Sequence, residues 1–429
     1  MARKKKYSGV KWIGEIPDNW KITRIKYIAN NEVNSFCDGD WIESPYITDS
    51  GIRYLTSGNI GEGKYKQQGS GYITEITFRA LGCKYAYPGD LVFSRLNAPF
   101  GRSCILPDDE DKYVIAVDNV ILRTDEDKRY VCYFTQTSQY QQYIELLCNG
   151  MAMQRIARKK LGDIAIPLPP LSEQQAISDF LDGKCAEIDG LLADLEAEVK
   201  TLSEYKKSII AETVTRGLNP NASLKPSGIP WAEMIPEHWM KEKGKYLFEL
   251  RTTKGNPHNL ELMSPTQKFG VIPQSQLEGV VLVKEKTDLN TFRTIRPGDF
   301  CISLRSFQGG FEYSKYEGVV SPAYQVFYPL KPIADGYFKY MFKSDGFISY
   351  INTFSMSLRD GKNIPFEDFG NSYIPIPPID EQETIAVYLD EKCAIIEQSI
   401  ADKQTQIDTL KSYKSSLIYE YVTGKKQVV

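Results

Sequence analysis

Ile166-Pro167-Leu168-Pro169-Pro170-Leu171-Ser172-Glu173-Gln174 returns 208 residues later as Ile374-Pro375-Ile376-Pro377-Pro378-Ile379-Asp380-Glu381-Gln382. A period this long marks a duplicated domain, not a solenoid of short repeats. The openings of the copies match too. Ser8-Gly9-Val10-Lys11-Trp12 and Ile16-Pro17-Asp18-Asn19-Trp20 answer to Ser227-Gly228-Ile229-Pro230-Trp231 and Ile235-Pro236-Glu237-His238-Trp239. That offset is 219, and Tyr27 and Tyr246 keep it, so the second interior is 11 residues shorter. Inside, the one clear shared landmark is Pro88-Gly89-Asp90 against Pro297-Gly298-Asp299. Repeated edges around divergent interiors predict two readers on one scaffold, each reading something different.

Behind each Pro-rich segment runs a heptad stripe. Leu181, Cys185, Ile188, Leu192, Leu195, Val199, Leu202, Lys206 and Ile209 follow in alternating steps of four and three, as do Leu389, Cys393, Ile396, Ile400, Lys403, Ile407, Leu410, Lys414 and Leu417. Ser172 and Asp380 read as N-caps, and Gly217, with Asn219-Pro220 behind it, and Gly424 read as stops. Each helix would be about 65 Å long at ~1.5 Å per residue. Such a stripe is buried on its own module, in a coiled coil between two chains, or against its twin. Two equal stripes in one chain favour the twin. A two-fold relation between the copies makes that pair antiparallel, with the modules at opposite ends. Lys206, Lys403 and Lys414 weaken the seam while fixing its register, and Cys185 and Cys393 serve as small core residues.

The interiors, 20–165 and 239–373, are short β-like runs broken by Gly, Pro, Asn and Asp, with helices expected near 130–147 and 336–351. The predicted fold class is α+β: two mixed α/β modules joined by two long antiparallel coiled-coil helices, with an internal pseudo-two-fold duplication. The boundaries fall at 1–166, 167–220, 221–374 and 375–429.

Composition narrows the function. No apolar run in the 429 residues approaches the ~20 needed to span a bilayer, so no membrane partner is expected. The basic start, Met1 to Lys6, lacks the apolar stretch of a secretory signal. Eight cysteines never form C-x-x-C, and the two histidines, His238 and His258, offer little for zinc, which points to the reducing cytoplasm and no metal site. The net charge of −3 is divided: +3 and +1 over 1–166 and 227–374, −4 and −3 over 167–226 and 375–429. Without a strongly basic face, the chain is not expected to hold DNA unaided. Gly58-Asn59-Ile60-Gly61-Glu62-Gly63-Lys64-Tyr65 misses the phosphate-loop pattern, because Tyr65 replaces the required Ser or Thr. Asp108, Glu126 and Lys128 fit a metal-nuclease spacing only loosely, and no triad or cofactor loop is visible. The chain reads as non-catalytic.

Basic and amide side chains cluster in the interior loops beside aromatics. Arg and Lys can read guanine, and Asn and Gln adenine. The candidates are Arg53, Asn59, Lys64, Lys66, Arg95, Asn97 and Arg102 in the first interior. In the second they are Lys268, Gln274, Gln276, Arg305, Gln308, Tyr324 and Arg359.

The W-x(4)-P-x-x-W openings at Trp12–Trp20 and Trp231–Trp239, the Ile-Pro-Leu/Ile-Pro-Pro-x-x-Glu-Gln entries, the long helices behind them, both Pro-Gly-Asp elements and Ser321-Pro322-Ala323-Tyr324 together resemble the specificity (DNA-recognition) subunit of type I restriction-modification systems. The resemblance spans essentially the whole chain. It implies two target-recognition domains on double-stranded DNA, each reading half of a bipartite, asymmetric site, with DNA contacts in their loops. It implies spacer helices that set the gap and dock methyltransferase subunits. S-adenosylmethionine, ATP and magnesium would belong to those and to the restriction (translocase/endonuclease) subunits, with no cofactor in this chain. Two alternatives differ in class: a coiled-coil scaffolding adaptor without a DNA role, and a magnesium nuclease using Asp108, Glu126 and Lys128.

Overall fold

The computed structural model describes residues 3–69, 71–148, 154–255, 259–277, 289–354 and 364–428. The chain forms two compact units, 1–195 with 405–429, and 196–404. Each is built on a four-stranded antiparallel sheet of the same order. In the first unit the neighbours run Phe36–Asp38, Asn119–Leu122, Leu91–Ser94, Ser103–Ile105. In the second they run Phe248–Leu250, Gln325–Pro329, Phe300–Ile302, Glu312–Tyr313. The Pro-Gly-Asp turns feed the third strand of each sheet, with Gly89 and Gly298 at φ +80° and +91°, where an L side chain is strained. The turn's carboxylate is buried and needs a cation. Arg123, from the end of a central strand, supplies it to Asp90 at 3.1 Å, while Arg251, from the end of an edge strand, supplies it to Asp299 at 2.6 Å. One electrostatic requirement is met from two places in the sequence, so the interiors align poorly around it.

The units differ in what surrounds this sheet. The first adds a three-stranded sheet, with Ile52–Leu55 between Tyr72–Ile73 and Tyr113–Ile115, over small clusters such as Leu55, Val92, Ile115 and Ile121. The second adds a hairpin, Met263–Thr266 with Gly270–Pro273, and a core of stacked and edge-on phenylalanines at 248, 300, 311, 327, 342 and 369.

The repeated edges are strand partners. Lys21–Arg24 pairs with Ala165–Leu168, and Met240–Lys243 with Tyr373–Ile376. Trp20 and Trp239, both fully buried, stand edge-on to Tyr130 and Tyr337 at 6.5 and 6.4 Å. The buried Tyr130 hydroxyl lies 2.8 Å from both Pro167 O and Val422 O. The Tyr337 hydroxyl lies 2.9 Å from Val214 O and 3.4 Å from Pro375 O. In each unit one tyrosine thus latches the Pro-rich strand to the last turns of the long helix that ends there. Gly217 and Gly424 close those helices at φ +73° and +68°, and a Cβ on either would press to 3.2 Å on the buried tryptophan ring.

The long helices run Leu171–Arg216 and Ile379–Val422. Ser172 and Asp380 fall inside the first turn, so they are not the N-caps expected of them. Pro170 and Pro378, which have no N–H to lose, precede each helix and offer their carbonyls to the amides of Gln174 and Gln382 at 3.0 and 2.9 Å. Along the stripe, Leu181, Cys185, Ile188, Leu192, Ile209, Leu389, Cys393, Ile396, Ile407 and Leu417 are buried. Leu195, Val199, Leu202, Ile400 and Leu410 are half-buried. Pairing is antiparallel within each unit. Phe180 meets Tyr421 at 4.5 Å and Asp189 meets Lys414 in the first; Glu198 meets Lys403 and Lys206 meets Glu397 in the second. The three seam lysines therefore each find a carboxylate on the facing helix. Partly exposed pairs contribute at most about 1 kcal/mol apiece, so they set register more than strength.

Tyr337→Phe should lower the stability of the second unit by about 1–2 kcal/mol, because a buried hydroxyl contact is lost. Urea unfolding should show a lower midpoint with unchanged slope, while Tyr246→Phe, whose ring is exposed, leaves the midpoint in place.

Candidate nucleic-acid interface

In the first unit, the candidate side chains divide by direction. The Arg102 guanidinium turns inward and donates to the carbonyls of Ser57 (2.8 Å), Ile60 (2.6 Å), Asn97 (3.0 Å) and Pro99 (3.1 Å). Burial pulls its pKa below the usual arginine value. Arg53 is buried, donates to Gln68 O, Gly69 O and Gly71 O at 2.8–3.0 Å, and lies 5.3 Å from the Tyr72 ring. Asn59 is buried and donates to Lys66 O and Gln68 O at 3.0 and 2.8 Å. Arg95, also buried, donates to Val117 O and faces Asp38 at 3.3 Å. These loops have no strand ladder, so their carbonyls need side-chain donors, and four of the seven candidates are spent on that task. Lys64 is exposed but reaches Asp189 of the first long helix at 3.1 Å.

Lys66 and Asn97 point outward, Asn97 from a left-handed backbone at φ +59°. The Arg102 contacts gather the 57–60 and 96–99 segments. A bridge between Leu96 and Arg155 and a bond from Asn97 N to Gln154 O at 3.4 Å add a third segment. Exposed Gln154 and Arg155 therefore stand beside Asn97 on one polar rim. Both were passed over in the sequence, where the signal was the cationic run ending in Arg158-Lys159-Lys160.

The second unit gathers two loops. Lys268 is exposed at the tip of the Met263–Thr266/Gly270–Pro273 hairpin. Arg305 and Gln308 are exposed around the short helix Ser306–Gly309, and Gln267 Nε2 approaches Gln308 Oε1 at 3.5 Å. Beneath them the Lys343 ammonium donates to Gly309 O at 2.8 Å and Gln267 O at 3.5 Å and pairs with buried Glu312 at 2.6 Å. Burial pushes the Glu312 pKa up to about 7, with Lys343 opposing. Cys104 and Gln136 occupy the corresponding places in the first unit, without charge. Gln274 is half-buried and Gln276 exposed. Tyr324 packs against Met263, Val271, Val320 and Val326, and burial raises its hydroxyl pKa, so its first role is packing. Arg359 lies outside the described residues. Sequence reasoning missed Gln267, Phe269 and Lys343, because nothing in their neighbourhood distinguishes a hairpin tip or its anchor.

Two of the three loosely spaced nuclease candidates make structural contacts. Glu126 accepts from Gln174 at 2.6 Å, and Lys128 donates to Gly89 O at 2.5 Å. Among the described residues, no group of three or more His, Cys, Asp or Glu side chains is placed to hold a metal ion. Among them, too, no helix is long and apolar enough to cross a membrane.

Comparison with known proteins agrees with this architecture. A family model described as the type I restriction modification DNA specificity domain matches residues 17–201. The chain is 22% identical to the putative type I restriction enzyme MjaX specificity subunit of Methanocaldococcus jannaschii, over 97% of this chain and 96% of that one. It is 23% identical to the EcoKI specificity subunit of Escherichia coli, over 66% and 62%. A solved chain described under complex assembly and conformational transition of the type I R-M system superposes with a TM-score of 0.70 at 15% identity, covering 96% of this chain and 99% of that one. The HsdS subunit from Thermoanaerobacter tengcongensis superposes at 0.51, also at 15% identity, over 96% and 98%.

The Glu312 shift carries a sign. Its pKa is raised in the fold, so its contribution is full below its ordinary value of 4.5 and is lost as pH climbs through about 7. Glu312→Gln removes that dependence. Urea titrations at about pH 5 and about pH 8 should show wild type losing stability relative to the variant at the higher pH.

Proposed function

Because the chain belongs to the specificity subunits of type I restriction-modification systems, we propose that it is the DNA-recognition subunit of such a complex, its two units each reading one half of a bipartite, asymmetric site. The observation that carries this reading is two different polar rims on one duplicated frame. Lys66, Asn97, Gln154 and Arg155 form one rim; Gln267, Lys268, Arg305 and Gln308 form the other. Exposed amides and cations suit base edges and phosphates, while the buried arginines hold the loops in shape. Gln276 and Arg359 stay with the second set as proposed contacts.

The long helices act as the ruler between half-sites and as the dock for methyltransferase subunits. Their acidic balance, −4 and −3 over the repeated segments, suits a protein partner better than DNA. Exposed apolar side chains on them, Leu191 and Tyr413 in the first unit and Tyr205, Val387 and Ile395 in the second, favour the same role. This chain supplies readout alone. Methylation with S-adenosylmethionine, and ATP- and magnesium-dependent translocation and cleavage, fall to partner subunits in the cytoplasm.

Single-molecule methylome sequencing of a methylase-free host carrying this chain with its cognate methyltransferase subunit should reveal adenine methylation at one two-part motif with a fixed gap. A soluble complex that methylates no motif would favour the scaffolding adaptor. Deleting Leu195–Thr201 together with Lys403–Thr409 shortens each helix by about 10 Å. The same sequencing should then return both half-sites unchanged around a gap shorter by about three base pairs at ~3.4 Å each; an unchanged gap would end the ruler idea.

A further inference from the structure

We propose that Phe269 is an apolar wedge that enters the DNA groove and parts two stacked base pairs within the half-site read by the second unit. The inference rests on the DNA reading above and names a residue that acts on DNA shape as well as on base edges.

Among the phenylalanines whose side chains are described, Phe269 alone is exposed, at 60%. A single exposed ring needs no explanation in itself. This one, however, is held out on a braced support. Thr266 Oγ1 accepts from Phe269 N at 3.0 Å and donates to Gly270 O at 2.9 Å, closing the hairpin tip. Gly270 takes φ +73°, and a Cβ there would meet Tyr313 O at 2.5 Å, so the turn lies hard against the neighbouring strand. These contacts fix the backbone that carries the ring.

The support has a second tier. Lys343 ties the tip, through Gln267 O, to the Ser306–Gly309 loop, through Gly309 O, and is itself balanced by Glu312. Burying an ion pair costs desolvation that apolar packing avoids. The first unit has Cys104 at the matching sheet position and Gln136 after the matching helix, so the pair is not needed to build the fold. It fits a requirement of this hairpin: a tip that keeps its shape under load.

The ring's surroundings identify the ligand. Lys268 Nζ lies 5.0 Å from the ring centroid. Gln267, two residues before the ring on the same hairpin tip, approaches Gln308 Oε1 at 3.5 Å. A cation suits a phosphate beside the groove, amides suit base edges, and an apolar ring suits the gap between unstacked bases. Inserted Phe, Leu or Ile wedges bend duplexes in this way, and the deformation energy is read as sequence preference at pyrimidine–purine steps.

The test uses the full chain assembled with its cognate methyltransferase subunit, and a duplex bearing the methylated motif with 2-aminopurine placed singly across it, methylated positions excluded. Emission should rise at one step with wild type, stay flat with Phe269→Ala and return with Phe269→Trp. Binding by Phe269→Ala should weaken about tenfold, the scale of one lost stacking contact. Phe269→Ala matching wild type in emission and affinity would overturn the wedge, as would a wild-type complex that binds with flat emission at every step. A wild-type complex that fails to bind the duplex would instead remove the DNA reading on which the wedge rests.

Discussion

A buried tyrosine hydroxyl is the point on which each unit turns. Tyr130 and Tyr337 sit where a Pro-rich strand, a helix end and a buried tryptophan converge, and their hydroxyls must find partners or cost the fold a desolvated polar group. The Pro-rich strand supplies the carbonyl of Pro167 in one unit and of Pro375 in the other. The helix supplies one of the last carbonyls that no further turn can bond. The glycine closing each helix follows from the same junction: both take positive φ, and a Cβ would meet Glu381 at 2.7 Å in one unit and Pro17 at 2.3 Å in the other, with the tryptophan ring at 3.2 Å behind them. Once these groups are fixed, the strand, the long helix and the sheet above them have little freedom left. This accounts for repeated edges around free interiors.

Within the interiors, polar side chains do two kinds of work. Arg53, Asn59, Arg95 and Arg102 satisfy carbonyls of loops that lack a ladder, and so determine where Lys66, Asn97, Gln154 and Arg155 stand. The second unit replaces this arrangement with a hairpin and a short helix tied by Lys343 and Glu312. Both solutions hang from one four-stranded sheet, whose Pro-Gly-Asp carboxylate is neutralised by an arginine from a different strand in each unit. The shared sheet sets the platform, and the divergent loops set what it presents.

Much of the frame was legible in the sequence. The heptad stripes, both Pro-rich entries and the paired tryptophans carry local signals: periodicity, turn chemistry and repetition. The seam lysines were legible as register devices, though not their partners Asp189, Glu198 and Glu397, which lie far away in the chain. The helix starts were misread by two residues because Ser172 and Asp380 look like caps, while Pro170 and Pro378 already provide the carbonyl. The candidate interface was legible only as a neighbourhood. An arginine that holds a loop and one that faces solvent are the same letter, and Arg95 and Arg155 part company only when burial is known. Phe269 reads as core in any pattern of alternating residues, and its exposure is a property of the turn that carries it.

The central claim is that one frame holds two interchangeable readers. It is tested most directly by replacing the second interior, residues 247–372, with a copy of the first, residues 28–164, and sequencing the methylome of a host that makes this chain with its methyltransferase subunit. The account predicts that the asymmetric motif gives way to an inverted repeat of the first half-site around a fixed gap. Retention of the original asymmetric motif by a soluble complex would contradict it.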